Sequence, residues 1–318
     1  MYLFFRKIVL QLLGLIFKRN PRELTATEQD ALVELKATFQ SFPKFISKSN
    51  VPSENEWTRN INELTRLVLE DDPRCFLRWD LVLYTMFPAI SIYAVRELMT
   101  LRRSKAWNVR WKCILEESPV GCPFPFLAYP RSSGNVIHLA YHLNMFESLT
   151  QCDVAQQQFV VEFGAGYGRM CSLLYALGFK GKYICFDLPP FSALQTYYLK
   201  CLGHPVLSEN DFTTAEKGIL CISDFQQLQR VVQAHNSVPG KMFIATWSLS
   251  ETPLHIRQSV QDVVNNFDAF LMTYQSHFNE VNNAEAFDEW KAKMGVRWTE
   301  TPVPFLKGNK YLFGRKAK

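Results

Sequence analysis

The residues best placed for chemistry fall in one stretch, Phe159-Val-Val-Glu-Phe-Gly-Ala-Gly-Tyr-Gly-Arg169. FVVEF reads as a buried strand. Gly164, Gly166 and Gly168 then allow a tight turn and let a ligand approach the backbone. The segment that follows reads as a helix whose first N–H groups point at that ligand. Asp187 comes 23 residues after Gly164, at the end of the next strand-like run YICFD. A carboxylate there is placed to accept hydrogen bonds from two ribose hydroxyls.

Two cofactor classes suit such a turn. The dinucleotide fingerprint G-x-G-x-x-G requires a glycine at position 169, where this chain has Arg169. Glu162, just before the loop, is poorly placed beside a pyrophosphate and better suited to an ammonium group. S-adenosylmethionine carries an ammonium, a ribose, an adenine and a sulfonium, and no phosphate. The stretch therefore reads as a methyl-donor pocket rather than a nicotinamide site.

The elements that position this loop follow from hydrophobic spacing. From about residue 155, short apolar runs alternate with amphipathic segments: FVVEF (159–163), YICFD (183–187), ILCIS (219–223), MFIATW (242–247) and FDAFLMTY (267–274). Helical segments begin near Gly168, Pro189, Asp224, Pro253 and Ala284. That alternation predicts an α/β fold with a parallel sheet covered by helices on both faces. NKYLFGR (309–315) follows VRWTETPVPF by a short link, which predicts an antiparallel final strand. Residues 21–150 have a helical pattern and many aromatics. Ser53 and Glu56 form a capping box, FLRWDLVLYTMF (76–87) reads as a helix buried all round, and VIHLAYHLNMFESL reads as another. The expected organisation is an N-terminal helix over 1–20, a helical lobe over 21–150 and a cofactor domain over 151–318.

Composition sets the outer limits. The chain has 318 residues, 47% of them apolar and 20% charged, which excludes disordered and collagen-like classes. Eight cysteines stand at irregular spacings without a CxxC pair, so reduced thiols and a cytoplasmic setting are expected. The net charge of +5 sits at the ends: residues 1–22 and 305–318 each carry five basic and no acidic residues, leaving 25 basic against 30 acidic between them. A nucleic-acid binder would more often spread its basic residues over a domain face, so no nucleic-acid partner is expected. MYLFFRKIVLQLLGLIF (1–17) is broken by Arg6, Lys7 and Gln11 and is too short for a span of about 20 residues. No small-residue cleavage site follows it. A helix lying on an anionic membrane and a terminal helix packed on protein both remain open.

On VVEFGAGYGR (160–169), YICFDLPPFSALQTYYL (183–199), TWSLSET (246–252) and DPRCFLRWDLVLYTMF (72–87), the chain resembles the class I S-adenosylmethionine-dependent methyltransferases, and within them the bacterial sugar O-methyltransferase family. The resemblance covers most of the chain from about residue 70. Phe163-Gly164-Ala165 stands where that family has Ile-Gly-Gly or Ile-Gly-Ala. The resemblance implies a Rossmann-like sheet of seven strands, the last antiparallel. It implies that Glu162 with Gly164, Ala165, Gly166, Tyr167 and Gly168 holds the methionine portion, and that Asp187 holds the ribose. Leu188 would lie near the adenine, and Asp224 or Phe225 would meet its edge. Tyr167 and Trp247 would border the sulfonium. Asp224 is equally well read as an N-cap, and Trp247 as a packing residue.

The acceptor implied is a sugar or glycan hydroxyl, a poor nucleophile that a base within hydrogen-bond reach would assist. Loops at the C-terminal strand ends offer Glu251, His255, His277 and Glu280, of which Glu251 and His277 are the chosen candidates. His138 and His142 share a helix face, but no nearby carboxylate is placed by sequence to complete a metal set, so no metal is expected. Two rivals remain: an inert protein that keeps the fold as a binding scaffold, and a nicotinamide-dependent oxidoreductase.

Overall fold

The computed structural model describes residues 14–17, 21–46, 52–87, 92–279, 281–304 and 306–316. Most of the expected 1–20 helix, and Glu280, lie outside the described residues.

The lobe begins with α1 (Ala26–Ser41), opened by a reciprocal capping box in which Thr25 and Glu28 each bond the other's backbone N–H. It continues through α2 (Pro52–Glu70), α3 (Asp80–Thr85), α4 (Ile92–Arg103) and α5 (Gly134–Thr150). The single helix expected over 76–87 is broken. A 3-10 segment covers Pro73–Arg78 and α3 starts after it, because Trp79 between them is extended (φ −71°, ψ 137°). That geometry buries the indole while its Nε1–H reaches Asp71 at 2.9 Å.

The remainder alternates as expected: β1 (Phe159–Phe163), α6 (Arg169–Ala176), β2 (Lys182–Phe186), α7 (Pro189–Cys201), α8 (Glu209–Thr214), β3 (Gly218–Ile222), α9 (Phe225–Ala234), β4 (Lys241–Thr246), α10 (Leu254–Val264), β5 (Ala269–Gln275), α11 (Asn283–Lys293), β6 (Arg297–Pro302) and β7 (Asn309–Arg315). A two-residue hairpin, His277–Phe278 with Val281–Asn282, precedes α11. The seven strands lie in the order β3-β2-β1-β4-β5-β7-β6. β1 to β5 are parallel, and β7 runs antiparallel to both β5 and β6. This is the Rossmann-like α/β sheet expected from the alternation of apolar runs.

Strands such as β1 are buried along their whole length because helices cover both faces. On one face, Val160, Tyr183, Ile244 and Leu271 share a continuous apolar core with lobe residues that include Phe76, Trp79, Leu98 and Phe146. On the other, Val161, Ile184, Phe243 and Phe270 pack against α9, α10 and α11. The strand order reverses between β1 and β4, and in open α/β sheets the crevice outside such a switch point is where ligands bind.

Candidate active site

The glycine loop stands at that switch point. Gly164, Gly166 and Gly168 all have left-handed backbones, with φ of 71°, 60° and 91°. A Cβ at Gly164 would fall 2.2 Å from Cβ of Ser248, so the loop after β4 packs directly against the loop after β1. A Cβ at Gly166 would meet Met86 Sδ of the lobe at 3.4 Å. The loop is therefore clamped between sheet and lobe, with a cavity of about 390 Å³ beside it.

From the sequence-derived set, Glu162, Gly164, Ala165, Gly166, Tyr167 and Trp247 line this cavity. Glu162 is 3% exposed, and its Oε2 accepts the Tyr183 hydroxyl at 2.7 Å. Burial pushes its carboxyl up to about 8, against the pull of that hydrogen bond. A buried carboxyl so raised gains strongly from a cationic partner. Tyr167 is held as a packing residue. Its hydroxyl accepts from Asn135 Nδ2 at 2.7 Å, and its ring sits edge-to-face with Phe76 and Tyr198.

The other members are placed elsewhere. Asp187 turns toward the loop. Its Oδ2 accepts the Gly166 N–H at 2.9 Å and Gln195 Nε2 at 3.2 Å, while Oδ1 accepts the Leu188 N–H at 2.8 Å. Burial raises this carboxyl to about 7. Leu188 is the half-exposed residue before α7, and Gly168 is the residue before α6. Asp224 caps α9, accepting the Gln227 N–H at 2.6 Å, and Phe225 packs on Phe186. Arg169, which breaks the dinucleotide pattern, is buried. It bonds Tyr198 Oη and the Glu116 carbonyl and pairs with Glu117 at 3.4 Å, tying α6 to the lobe.

The two chosen base candidates lie off this cavity. Trp247, at the end of β4, takes a left-handed conformation (φ 64°, ψ −35°) at a cost of order 1–3 kcal/mol. The 3-10 turn Ser248–Glu251 that follows carries Glu251 into a separate cavity of about 770 Å³, shared with His255 and Arg257. Glu251 is raised to about 7 by burial, and Gln275 Nε2 lies 3.4 Å from its Oε1. His277 is exposed on the small hairpin, paired with Asn282.

A different constellation faces the glycine loop. His138, on α5, lines the loop cavity and stacks on the Trp247 ring at 5.7 Å and 19°. Its Nδ1 meets Oε1 of Glu97, on α4, at 2.8 Å. Glu97 is 1% exposed, and its Oε2 has no partner among the described residues. One turn along α5, His142 Nδ1 meets the Tyr311 hydroxyl of β7 at 2.7 Å. Full burial and the neighbouring His138 push His142 well below the usual histidine range, so it is neutral. Trp247 Nε1 in turn donates to Asn309 Oδ1 at 2.7 Å, also from β7. The i, i+4 spacing of the two histidines is a sequence signal for a shared face. Glu97, 41 positions before His138, gives none.

No cluster of three or more potential metal ligands occurs among the described residues, and no described helix is long and apolar enough to cross a membrane. All eight cysteines are free.

Neither a family model nor a curated protein matches the chain. Solved structures similar to it include a protein described as an RNA methyltransferase from Pyrococcus horikoshii, at 14% identity over 71% of this chain and 100% of that one, with a TM-score of 0.38. An rRNA methylase from Streptococcus thermophilus matches at 8% identity over 52% and 92%, with a TM-score of 0.36. A magnesium protoporphyrin IX methyltransferase from Synechocystis, solved with bound S-adenosylmethionine, matches at 12% identity over 71% and 99%, with a TM-score of 0.35.

Proposed function

We propose that the chain is an S-adenosylmethionine-dependent O-methyltransferase whose acceptor is a sugar or glycan hydroxyl. The carrying observation is the buried Glu162 carboxyl lining the same cavity as a loop whose three glycines, Gly164, Gly166 and Gly168, all have left-handed backbones. A buried carboxyl is stabilised in its charged form by an ammonium, whereas a pyrophosphate beside it supplies no positive charge to compensate its burial. The three glycines shape the turn that lines the cavity, and the first turn of α6 beyond them presents its N–H groups toward it.

Glu162 and the loop from Gly164 to Gly168 would hold the methionine portion. Asp187 would act through the loop it fixes, and its carboxyl would reach a ribose only by exchanging one of its present donors. The bound donor supplies an electrophilic methyl carbon on a sulfonium. Catalysis then depends largely on holding acceptor and methyl in line, which the closed contact of lobe and sheet is built to do. The sugar class rests on the sequence resemblance in residues 183–199 and 246–252.

Thermal unfolding with S-adenosylmethionine, S-adenosylhomocysteine and NAD(H) in parallel tests this reading. A ligand at 100 times its dissociation constant stabilises by about 2.7 kcal/mol, roughly 5–10 °C here. A shift with the first two and none with NAD(H) is expected. No shift with either sulfur ligand would overturn it.

A further inference from the structure

We propose that His138 is the base that takes the proton of the acceptor hydroxyl, with Glu97 as the positioning residue that fixes which ring nitrogen carries the histidine's own proton. This inference rests on the methyl-transfer reading and deepens it, since it assigns the acceptor to the class of neutral, unionised hydroxyls. Its basis is geometric. His138 is the histidine that lines the loop cavity, together with Trp247, on which it stacks, and the lobe's Met86. With Nδ1 engaged by the Glu97 carboxyl at 2.8 Å, Nε2 has no protein partner among the described residues. A carboxylate accepts from Nδ1–H, which fixes the tautomer and leaves the lone pair on Nε2.

Three contacts keep the ring in that pose. Trp247 stacks on it at 5.7 Å, Tyr93 packs at 5.1 Å, and His142 lies edge-on at 4.1 Å. The left-handed backbone of Trp247 places the indole where it stacks, and Asn309 fixes its N–H. Strain of this kind persists where the surroundings over-determine it, and such places cluster at functional sites. Glu97 buries a carboxyl with one oxygen unpartnered among the described residues, and packing alone gives no reason for that cost.

The step balances without a further reagent. As the acceptor oxygen forms its bond to the methyl carbon, the carbon–sulfur bond breaks and its electron pair stays on sulfur, leaving a neutral thioether. The hydroxyl proton moves to His138 Nε2. The product is a methyl ether and an imidazolium paired with Glu97, which later returns the proton to solvent.

The first test needs no acceptor. Nitrogen-15 NMR of histidine-labelled full-length chain, saturated with S-adenosylhomocysteine, should show His138 protonated on Nδ1 and bare on Nε2. In Glu97→Gln the amide can donate to Nδ1, and the proton should move to Nε2. A wild-type His138 with its proton on Nε2 would overturn the proposal even where S-adenosylhomocysteine binds. Failure of that ligand to bind by calorimetry would instead overturn the methyl-transfer reading. The second test uses methyl hexosides, nucleotide-linked hexoses and 4-nitrophenol as acceptors. His138→Gln should bind S-adenosylhomocysteine within threefold of wild type and lose 10²–10⁴-fold in kcat on the sugars. With 4-nitrophenolate, which arrives ionised, the loss should stay under tenfold. Equal losses on both acceptor classes would overturn the assignment, as would an unchanged kcat on the sugars.

Discussion

The Asp187 carboxylate accepts the amide N–H of Gly166 at 2.9 Å, so the acid at the end of β2 holds the turn that leaves β1. The same oxygen also receives Gln195 Nε2, and the other oxygen receives the Leu188 N–H. Asp187→Asn can present only one acceptor oxygen to three donors. It should cost about 1–3 kcal/mol, read as a fall in denaturant midpoint at constant m, and weaken S-adenosylmethionine at least tenfold by calorimetry. A variant that binds the donor normally would dissociate the acid from the loop's shape.

The pH dependence of stability has a definite sign. Glu162 lies near 8 in the folded chain and at an ordinary carboxylate value when unfolded, so the folded state retains a proton that the unfolded state releases. Its contribution therefore turns unfavourable as pH rises from about 4.5 to 8, by at most ~1.4 kcal/mol per pH unit. Glu162→Gln should gain on wild type across that window in urea titrations. S-adenosylhomocysteine, which brings an ammonium, should flatten the wild-type slope.

Two glycines with similar backbones separate strain from collision. Gly164 and Gly178 have φ of 71° and 94°, but a Cβ at Gly178 meets nothing within 4 Å, while one at Gly164 meets Ser248 at 2.2 Å. Gly178→Ala should cost about 1–2 kcal/mol from the left-handed conformation alone. Gly164→Ala should cost clearly more, and calorimetric Tm values of the pair measure the difference.

The Tyr311 hydroxyl is the one partner that His142 has for either ring nitrogen among the described residues. Tyr311→Phe would leave a fully buried neutral imidazole unbonded on both sides. A loss of about 1–3 kcal/mol is expected in urea unfolding, and the His142→Phe, Tyr311→Phe double variant should recover part of it.

Much of this architecture was legible in the chain. The strands of the parallel sheet announce themselves as apolar runs because both their faces are buried, and the spacing of Gly164, Gly166 and Gly168 marks the turn. Less was legible where side-chain direction or long-range pairing decides the outcome. Nothing in the sequence signals that a tryptophan takes a positive φ, and Glu251, four residues beyond Trp247 and expected nearest the methyl, lines a different cavity from the glycine loop. Asp187 was correctly seen as the acid at the end of β2, but its partners are backbone and amide N–H groups that only the fold brings near it. The two histidines on α5 share a face by spacing, whereas Glu97 joins them only because α4 packs against α5.

β7 lies between β5 and β6 in the sheet, although it follows both in the chain. During synthesis β6 therefore has no neighbour to pair with until residues 309–315 have emerged. The same strand supplies Asn309 to Trp247 and Tyr311 to His142. The wall of the site is thus built only once residues 309–315 are made, and a ribosome-bound chain short of that strand would carry the glycine loop without its finished chamber.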